Sequence, residues 1–417
     1  HDNFYINDLE YISQEYGLSE WNNSVYWHMY KYAMCVDAIP YVAQSVANII
    51  KSIYGKNKKV LALDLDNTLW GGIVGDDGVE GIKIGPEIPN GQVYMEFQSY
   101  CKNLKDIGVI LAVDSKNEME NALAGLNHPN GVLKPDDFVD IKANWNPKDQ
   151  NLREIADELT LGVDSFVFAD DNPAEREIVS AQISGVAVPA MDGAENYIKI
   201  LDHSGYFEVT TLSAEDVNKT KMYHAKAEAS KAVAAFADYG EYLDSLEMTA
   251  YIDDFKPIYI QRITQLTNKS NQFNLTTLRC TEDDIRGMQE SSDHICLCGR
   301  LTDKFADNGL VTVLIAKVEE EEFHIKLFLM SCRVLKRELE DAMINALIEL
   351  AGKYGIKKII GHYYQTEKNA MVKDFYATMG FTKVHEDKVG NTDWEMYIDN
   401  YKYRKPHMKV IMQGIEK

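Results

Sequence analysis

Long apolar runs, clustered cysteines and a surplus of basic side chains are all missing from this chain, and each absence closes off a class of function. No apolar stretch approaches the roughly 18 residues that a bilayer-spanning helix needs, so a helical membrane segment is not expected. Lys and Arg number 43 against 65 Asp and Glu, a net charge of −22. A field of that sign repels phosphate backbones and anionic lipid unless a local basic patch intervenes, so neither nucleic acid nor a membrane surface is an expected partner. The six cysteines (Cys35, Cys101, Cys280, Cys296, Cys298, Cys332) are scattered, mostly in apolar contexts, as suits reduced thiols in a cytoplasmic protein. Cys296 and Cys298 are close, but C-x-C within "HICLCG" reads first as a strand, and no second cysteine or histidine pair lies at zinc-ligand spacing. Solenoid-length repeats and low-complexity tracts are also lacking. The opening "HDNFYINDLEYISQEYG" has no signal-peptide pattern and enters in mid-pattern, which reads as a chain with something missing upstream.

What is present is enough chain for two or three cores, since 417 residues exceed what one ordinary hydrophobic interior serves. Residues 1–57 read as helical, with Gly55 closing the last helix. From 58 to about 205, apolar strand runs ("KVLALDLD", "GVILAVDS", "DFVDIKA", "DSFVFADD") alternate with amphipathic helices near 92–107, after Asn117 and over 148–159. That alternation predicts an α/β domain with a parallel sheet covered on both faces. An Ala-, Lys- and Glu-rich stretch over 206–247 reads as a helical connector. Residues 248–417 then predict a second, mixed-sheet α/β domain, with two long antiparallel strands around "EEEE", a helix "LEDAMINALIELAGKYG" and another over "NAMVKDFYATMG".

In an open α/β sheet, ligands bind outside the carboxyl ends of the strands. The first strand ends in "LDLDNTLWGG". Extended backbone alternates with period two, so Asp64 and Asp66 are expected to converge on one point. A lone D-x-D is weak, but three other strand ends supply what anionic chemistry needs. "LAVDSKN" brings the hydroxyl of Ser115, then Lys116 and Asn117. "WNPKDQN" puts Lys148 in the first turn of a helix, the wrong charge for the helix dipole and so in service of something else. "FVFADDNPAER" ends in Asp170 and Asp171, with Arg176 read as structural. Two acidic pairs with hydroxyl and ammonium donors between them describe a hard, oxygen-liganded cation beside a phosphate pocket, and Mg²⁺ fits best.

Order and spacing of these motifs resemble the haloacid dehalogenase superfamily of phosphotransferases. In combination "LDLDNTLWGGIVGDDG", "SKN", "NWNPK", "FADDNPAER" and the distant "QLTNKSNQFNLTT" are similar to its FkbH-like proteins, of subfamily IIIC. The resemblance implies a Rossmann-like core with a minimal cap, an acetyltransferase-like C-terminal domain, and residues 1–57 as the remnant of an upstream SGNH-hydrolase-like domain. It implies Asp64 as nucleophile and Asp66 as general acid and base. The metal shell would draw on Asp64, Asp66 through its backbone carbonyl, and Asp170 or Asp171. Ser115 and Lys148, with Asn117 and Lys116 nearby, would hold the phosphoryl oxygens, and Thr68 would stabilise its own turn. The activity implied is Mg²⁺-dependent hydrolysis of a phosphate ester or acyl phosphate on a small metabolite. The alternative is transfer of a glyceryl group from a phosphoglycerate donor to an acyl carrier protein. That alternative calls for a thiol just before the serine of "SKN", where this chain has Asp114.

Between Asp66 and the helix near 92 there is room for a Gly-rich hairpin flap, and between Ser115 and Lys148 none for a cap domain, so the site is expected to be open and to borrow a lid. "QLTNKSNQFNLTT" is rich in amides, and Asn268, Lys269, Asn271, Gln272 and Asn274 are expected to face the phosphate pocket. The tail resembles acetyltransferases at "NAMVKDFYATMGF". The loop that would cradle an acyl-CoA pyrophosphate, however, carries Lys336 and Glu338 in place of glycines, which points to a structural or gating role.

Overall fold

The computed structural model describes residues 4–210, 222–223 and 238–414, and the chain falls into two compact units, one of His1–Asp157 and Leu161–Thr220 and one of Glu158–Thr160 and Lys221–Lys417. The first opens with helices Leu9–Tyr16, Leu18–Trp21, Ser24–Tyr30 and Ile39–Ile53. Side-chain oxygens of Asp8 and Asn23 cap two of them by accepting from Tyr11 N and Tyr26 N. The last ends as its glycine foretells: Gly55 adopts φ 61° and its N–H reaches back to Ser52 O at 3.0 Å.

Four strands follow: β1 (Val60–Leu63), β2 (Ile110–Ser115), β3 (Phe138–Ala143) and β4 (Phe166–Ala169). They lie in the order β3-β2-β1-β4, every pair parallel. β1, β2 and β4 are buried along their whole length, because helices cover both faces and leave no solvent side on which polar residues could alternate. Helices Pro89–Asp106, Met119–Leu126, Lys148–Leu159 and Pro173–Gln182 connect or follow the strands. The chain leaves β1 toward β2 and β3 and returns to β4 on the other side. The topological switch thus falls beside β1, the position at which open α/β sheets bind ligands outside the carboxyl ends of their strands.

The flap after Asp66 is less regular than a hairpin. One bridge, Gly71 with Lys83, closes it through two hydrogen bonds of 3.0 and 2.7 Å, and a four-residue helix, Val74–Asp77, fills its tip. Between Ser115 and Lys148 the chain holds only helix Met119–Leu126, a short 3₁₀ turn and β3, so no domain is inserted there.

The second unit is built on one mixed sheet. Its strands are β5 (Thr249–Asp254), β6 (Phe273–Asn274), β7 (His294–Thr302), β8 (Asp307–Glu319), β9 (Glu322–Met330), β10 (Lys358–Tyr363), β11 (Thr382–Glu386), β12 (Thr392–Tyr397) and β13 (Lys409–Gln413). The order is β11-β12-β10-β9-β8-β7-β5-β13, with β6 added to β9. β8 and β9 form the antiparallel pair expected around "EEEE". The centre of β8 is buried on both sides, Leu314 and Ala316 in one core and Val313 and Ile315 in the other. Helix Leu339–Lys353 fills the first core and helix Ile260–Lys269 the second.

One expectation meets a different outcome. The helix read over 369–380 is only a 3₁₀ turn, Ala370–Val372, and a four-residue helix, Phe375–Thr378. Asn369 explains the break, because its fully buried side chain spends its bonds on Asn274 O, Tyr364 O and Thr366 N. Most of the 206–247 connector lies outside the described residues, whose share here includes helix Tyr239–Ser245. In the loop before helix Leu339–Lys353, Lys336 and Glu338 adopt φ 64° and 62°, the left-handed backbone glycine favours, although both carry side chains. Glu338 accepts from both N and Nδ1 of His407. Among the described residues no helix is long and apolar enough to cross a membrane.

Candidate active site

Four strand ends deliver the side chains the sequence singles out. Asp64 is the first residue past β1, and its backbone N–H still bonds Ala169 O at 3.0 Å, tying the carboxyl ends of β1 and β4 together. Lys148 begins the helix after β3 and is buried. Its ammonium donates to Asp64 Oδ1 at 2.7 Å and Asp170 Oδ2 at 2.5 Å. Burial alone would lower its pKa, but the two carboxylates outweigh that and hold it above the ordinary lysine range.

Asp64, Asp170 and Asp171 bring carboxylate oxygens within 4.8 Å of one another. One ammonium does not balance them. Burial, then the charge of Asp64, raises Asp170, and Asp171 is pushed up to about 6 by burial and its acidic neighbours. A converging, partly desolvated set of oxygens with excess negative charge is what a hard divalent cation requires, so these residues fit Mg²⁺ by their own chemistry. Arg176 fixes the loop, donating to the backbone oxygens of Asp170 at 2.9 Å and Asp171 at 2.7 Å. Asp170 Oδ1 in turn accepts from Asn172 N.

The Asp66 carboxylate is not among the oxygens of Asp64, Asp170 and Asp171 that meet. β1 ends at Leu63 and Asn67 turns the chain at φ 55°, and the Asp66 carboxylate is held by donors of its own. Its Oδ1 accepts from Trp70 Nε1 at 2.9 Å and Val74 N at 3.0 Å, and its Oδ2 from Asn117 Nδ2 at 3.0 Å. Burial raises its pKa against the pull of those donors. Thr68 differs from expectation: its hydroxyl accepts from Asp171 N at 3.2 Å, joining the two acidic strand ends rather than its own turn.

Ser115 closes β2 and is buried. Asn117 is buried against Asp66, whereas Lys116 turns to Glu175 at 2.6 Å and stands outside the acidic cluster. In the second unit, the amides of Asn268, Asn271 and Asn274 serve their own turn. Asn268 donates to Thr264 O and Cys280 O, Asn271 accepts from Arg279, and the buried Asn274 donates to Ser270 O and accepts from Thr277 N. Lys269 and Gln272 are half-buried beside them.

A second buried network escapes the motif search. Asp114 is fully buried, accepts from Asn151 Nδ2 at 2.9 Å and leaves Oδ2 without a hydrogen bond; burial pushes its pKa up to about 8. Asn151 also exchanges bonds with Asn144, whose N–H donates to Ser115 O. Asn151 stands three residues after Lys148, on the same helix face, and that spacing is the signal by which the sequence could have shown it.

Over 51% of its length the chain is 41% identical to the N-terminal part of a Bacteroides fragilis protein containing a phosphatase domain complexed with Mg, with a TM-score of 0.48. The match covers 57% of that structure, so the chain spans little more than half of it. The ribosomal-protein-S18-alanine N-acetyltransferase of Escherichia coli is 13% identical, over 36% of this chain and 94% of that one, with a TM-score of 0.29. The PaiA N-acetyltransferase of Thermoplasma acidophilum, solved with coenzyme A, is also 13% identical, over 36% and 98%, at 0.29. Neither acetyltransferase likeness bears on activity. No protein-family model and no curated protein matches the chain.

Proposed function

We propose that the first unit is a Mg²⁺-dependent phosphatase of the haloacid dehalogenase type, hydrolysing a phosphate monoester or acyl phosphate on a small metabolite through an aspartyl phosphate. The observation that carries this reading is the meeting of Asp64, Asp170 and Asp171, the first two of them paired with the buried ammonium of Lys148. The 41% identity to a phosphatase domain complexed with Mg supports it.

Asp64, Asp170, Asp171 and the Asp66 carbonyl would hold the cation, which when bound offsets the negative charge of the phosphoryl oxygens. Lys148 and Ser115 receive the phosphoryl group. An oxygen of Asp64 attacks phosphorus in line as the bond to the leaving oxygen breaks. Asp66 protonates that oxygen, then takes a proton from the water that attacks the aspartyl phosphate, which releases phosphate and restores Asp64. Burial suits Asp66 to this exchange, because a carboxyl raised from its ordinary range holds and returns a proton nearer neutral pH. Glyceryl transfer finds no support at Asp114, which is fully buried and bonded to Asn151 rather than placed to carry an acyl group.

The test is phosphate release from sugar phosphates, glycerate phosphates and acyl phosphates with and without Mg²⁺. Asp64→Asn is expected to abolish release, and release that persists in that variant overturns the assignment of the nucleophile.

A further inference from the structure

Around Asp66 lie side chains that the reaction does not use. Trp145, in the loop leading to Lys148, is 67% exposed, yet its indole N–H is bonded to Glu118 Oε1 at 2.7 Å, which fixes the ring where it stands. Glu118 follows Asn117, whose amide holds Asp66 Oδ2, and Met119, 41% exposed, comes next. On the other oxygen of Asp66 sits the N–H of Val74, preceded by Ile73, 45% exposed. The two segments are neighbours, since a β-carbon on Gly75 would lie 3.6 Å from Asn121 Nδ2. Trp145, Met119 and Ile73 are therefore exposed apolar residues on, or bonded to, the two segments that hold the carboxylate of Asp66. A large, rigid, amphipathic ring held in the open is a surface for stacking.

We infer that Trp145, Met119 and Ile73 form the leaving-group subsite, and that it takes an uncharged ring, aryl or glycosyl, on the alcohol of the phosphate ester. This rests on the phosphatase reading of Asp66. Glu118 beside the indole disfavours a leaving group with its own carboxylate, and Lys116, engaged by Glu175 at 2.6 Å, is turned away from compensating it.

The experiment compares kcat/KM for benzyl phosphate, a hexose 6-phosphate, glycerol phosphate and 3-phosphoglycerate, the first two separating aryl from glycosyl. Ring esters are expected to lead, and Trp145→Ala to lower the ratio of ring to glycerol ester about tenfold through KM, with Trp145→Phe keeping most of it. A ratio unchanged in Trp145→Ala, or a lead for phosphoglycerate, overturns the subsite. If the wild type releases no more phosphate than Asp64→Asn, the phosphatase reading fails separately. The subsite is then judged in Asp64→Asn by the emission that Trp145→Phe removes. Quenching by benzyl or hexose phosphate and not by glycerol phosphate supports it, and an equal or absent response overturns it.

Discussion

Lys148 offers the sharpest test of how the site is held together. Replacing it with methionine preserves most of the side chain's bulk and deletes the ammonium that touches Asp64 at 2.7 Å and Asp170 at 2.5 Å. Breaking a buried pair by removing one partner typically costs about 3–5 kcal/mol, because the remaining charge is uncompensated. The carboxylates have an escape, however, since one of them can take a proton. With an ordinary aspartate pKa of about 3.9, that protonation costs about 1.36 kcal/mol per pH unit, which sets a ceiling near about 4 kcal/mol at pH 7 and about 2 kcal/mol at pH 5.5. The sign follows from linkage. In the variant the folded state holds a proton that the unfolded chain releases, so stability is greatest below the unfolded pKa and falls as pH rises toward the raised folded value. For a unit of this size about 4 kcal/mol corresponds to a fall in Tm of about 8–16 °C. Mg²⁺ should recover about 2.7 kcal/mol at a hundred times its Kd, while activity stays lost. The assay is thermal unfolding of wild type and Lys148→Met at pH 5.5 and 7, with EDTA or Mg²⁺. A variant whose Tm gap is the same at both pH values, or is indifferent to Mg²⁺, refutes the reasoning.

Other outcomes follow from neighbouring geometry. Asp114→Asn can keep the bond to Asn151 without a group that ionises. Wild-type Asp114 holds its proton up to about 8 while the unfolded chain releases it near the ordinary value, so the variant's Tm should exceed the wild type's by a margin that grows from pH 5 to 8; a shrinking margin contradicts this. Gly125→Ala would place a β-carbon 2.7 Å from the Trp70 ring, whose N–H holds Asp66. Overpacking of that kind should cost about 1–3 kcal/mol in chemical denaturation and lower kcat, and a neutral result would show that the helix yields. Arg176→Ala frees the carbonyls of Asp170 and Asp171, so Mg²⁺ affinity measured by titration calorimetry should fall about 10–100-fold, the usual reach of residues that orient metal ligands.

The alternation of strand and helix over 60–169 was legible because a parallel sheet buried on both faces leaves uninterrupted apolar runs, and the acidic, hydroxyl and ammonium groups stand at the ends of those runs. The one local pattern that failed has a physical reason. "NAMVKDFYATMG" carries a helical pattern, but Asn369 at its head bonds backbone from two other segments, and those bonds replace the helix. The amides of Asn268 and Asn274 stitch their own turn, which their spacing in the sequence does not reveal.

From the order of residues alone come the composition that disfavours nucleic acid, the two α/β patterns and the identity of Asp64, Ser115, Lys148, Asp170 and Asp171 as the groups to watch. Local periodicity and charge carry that information along the chain. Tertiary structure decided where each group points: Lys148 between Asp64 and Asp170, Asp66 turned onto Trp70, Val74 and Asn117, Lys116 drawn off to Glu175, and Asp114 buried with Asn151. Those directions depend on contacts between residues as many as 103 positions apart, as for Thr68 and Asp171, and no local pattern encodes a contact of that range.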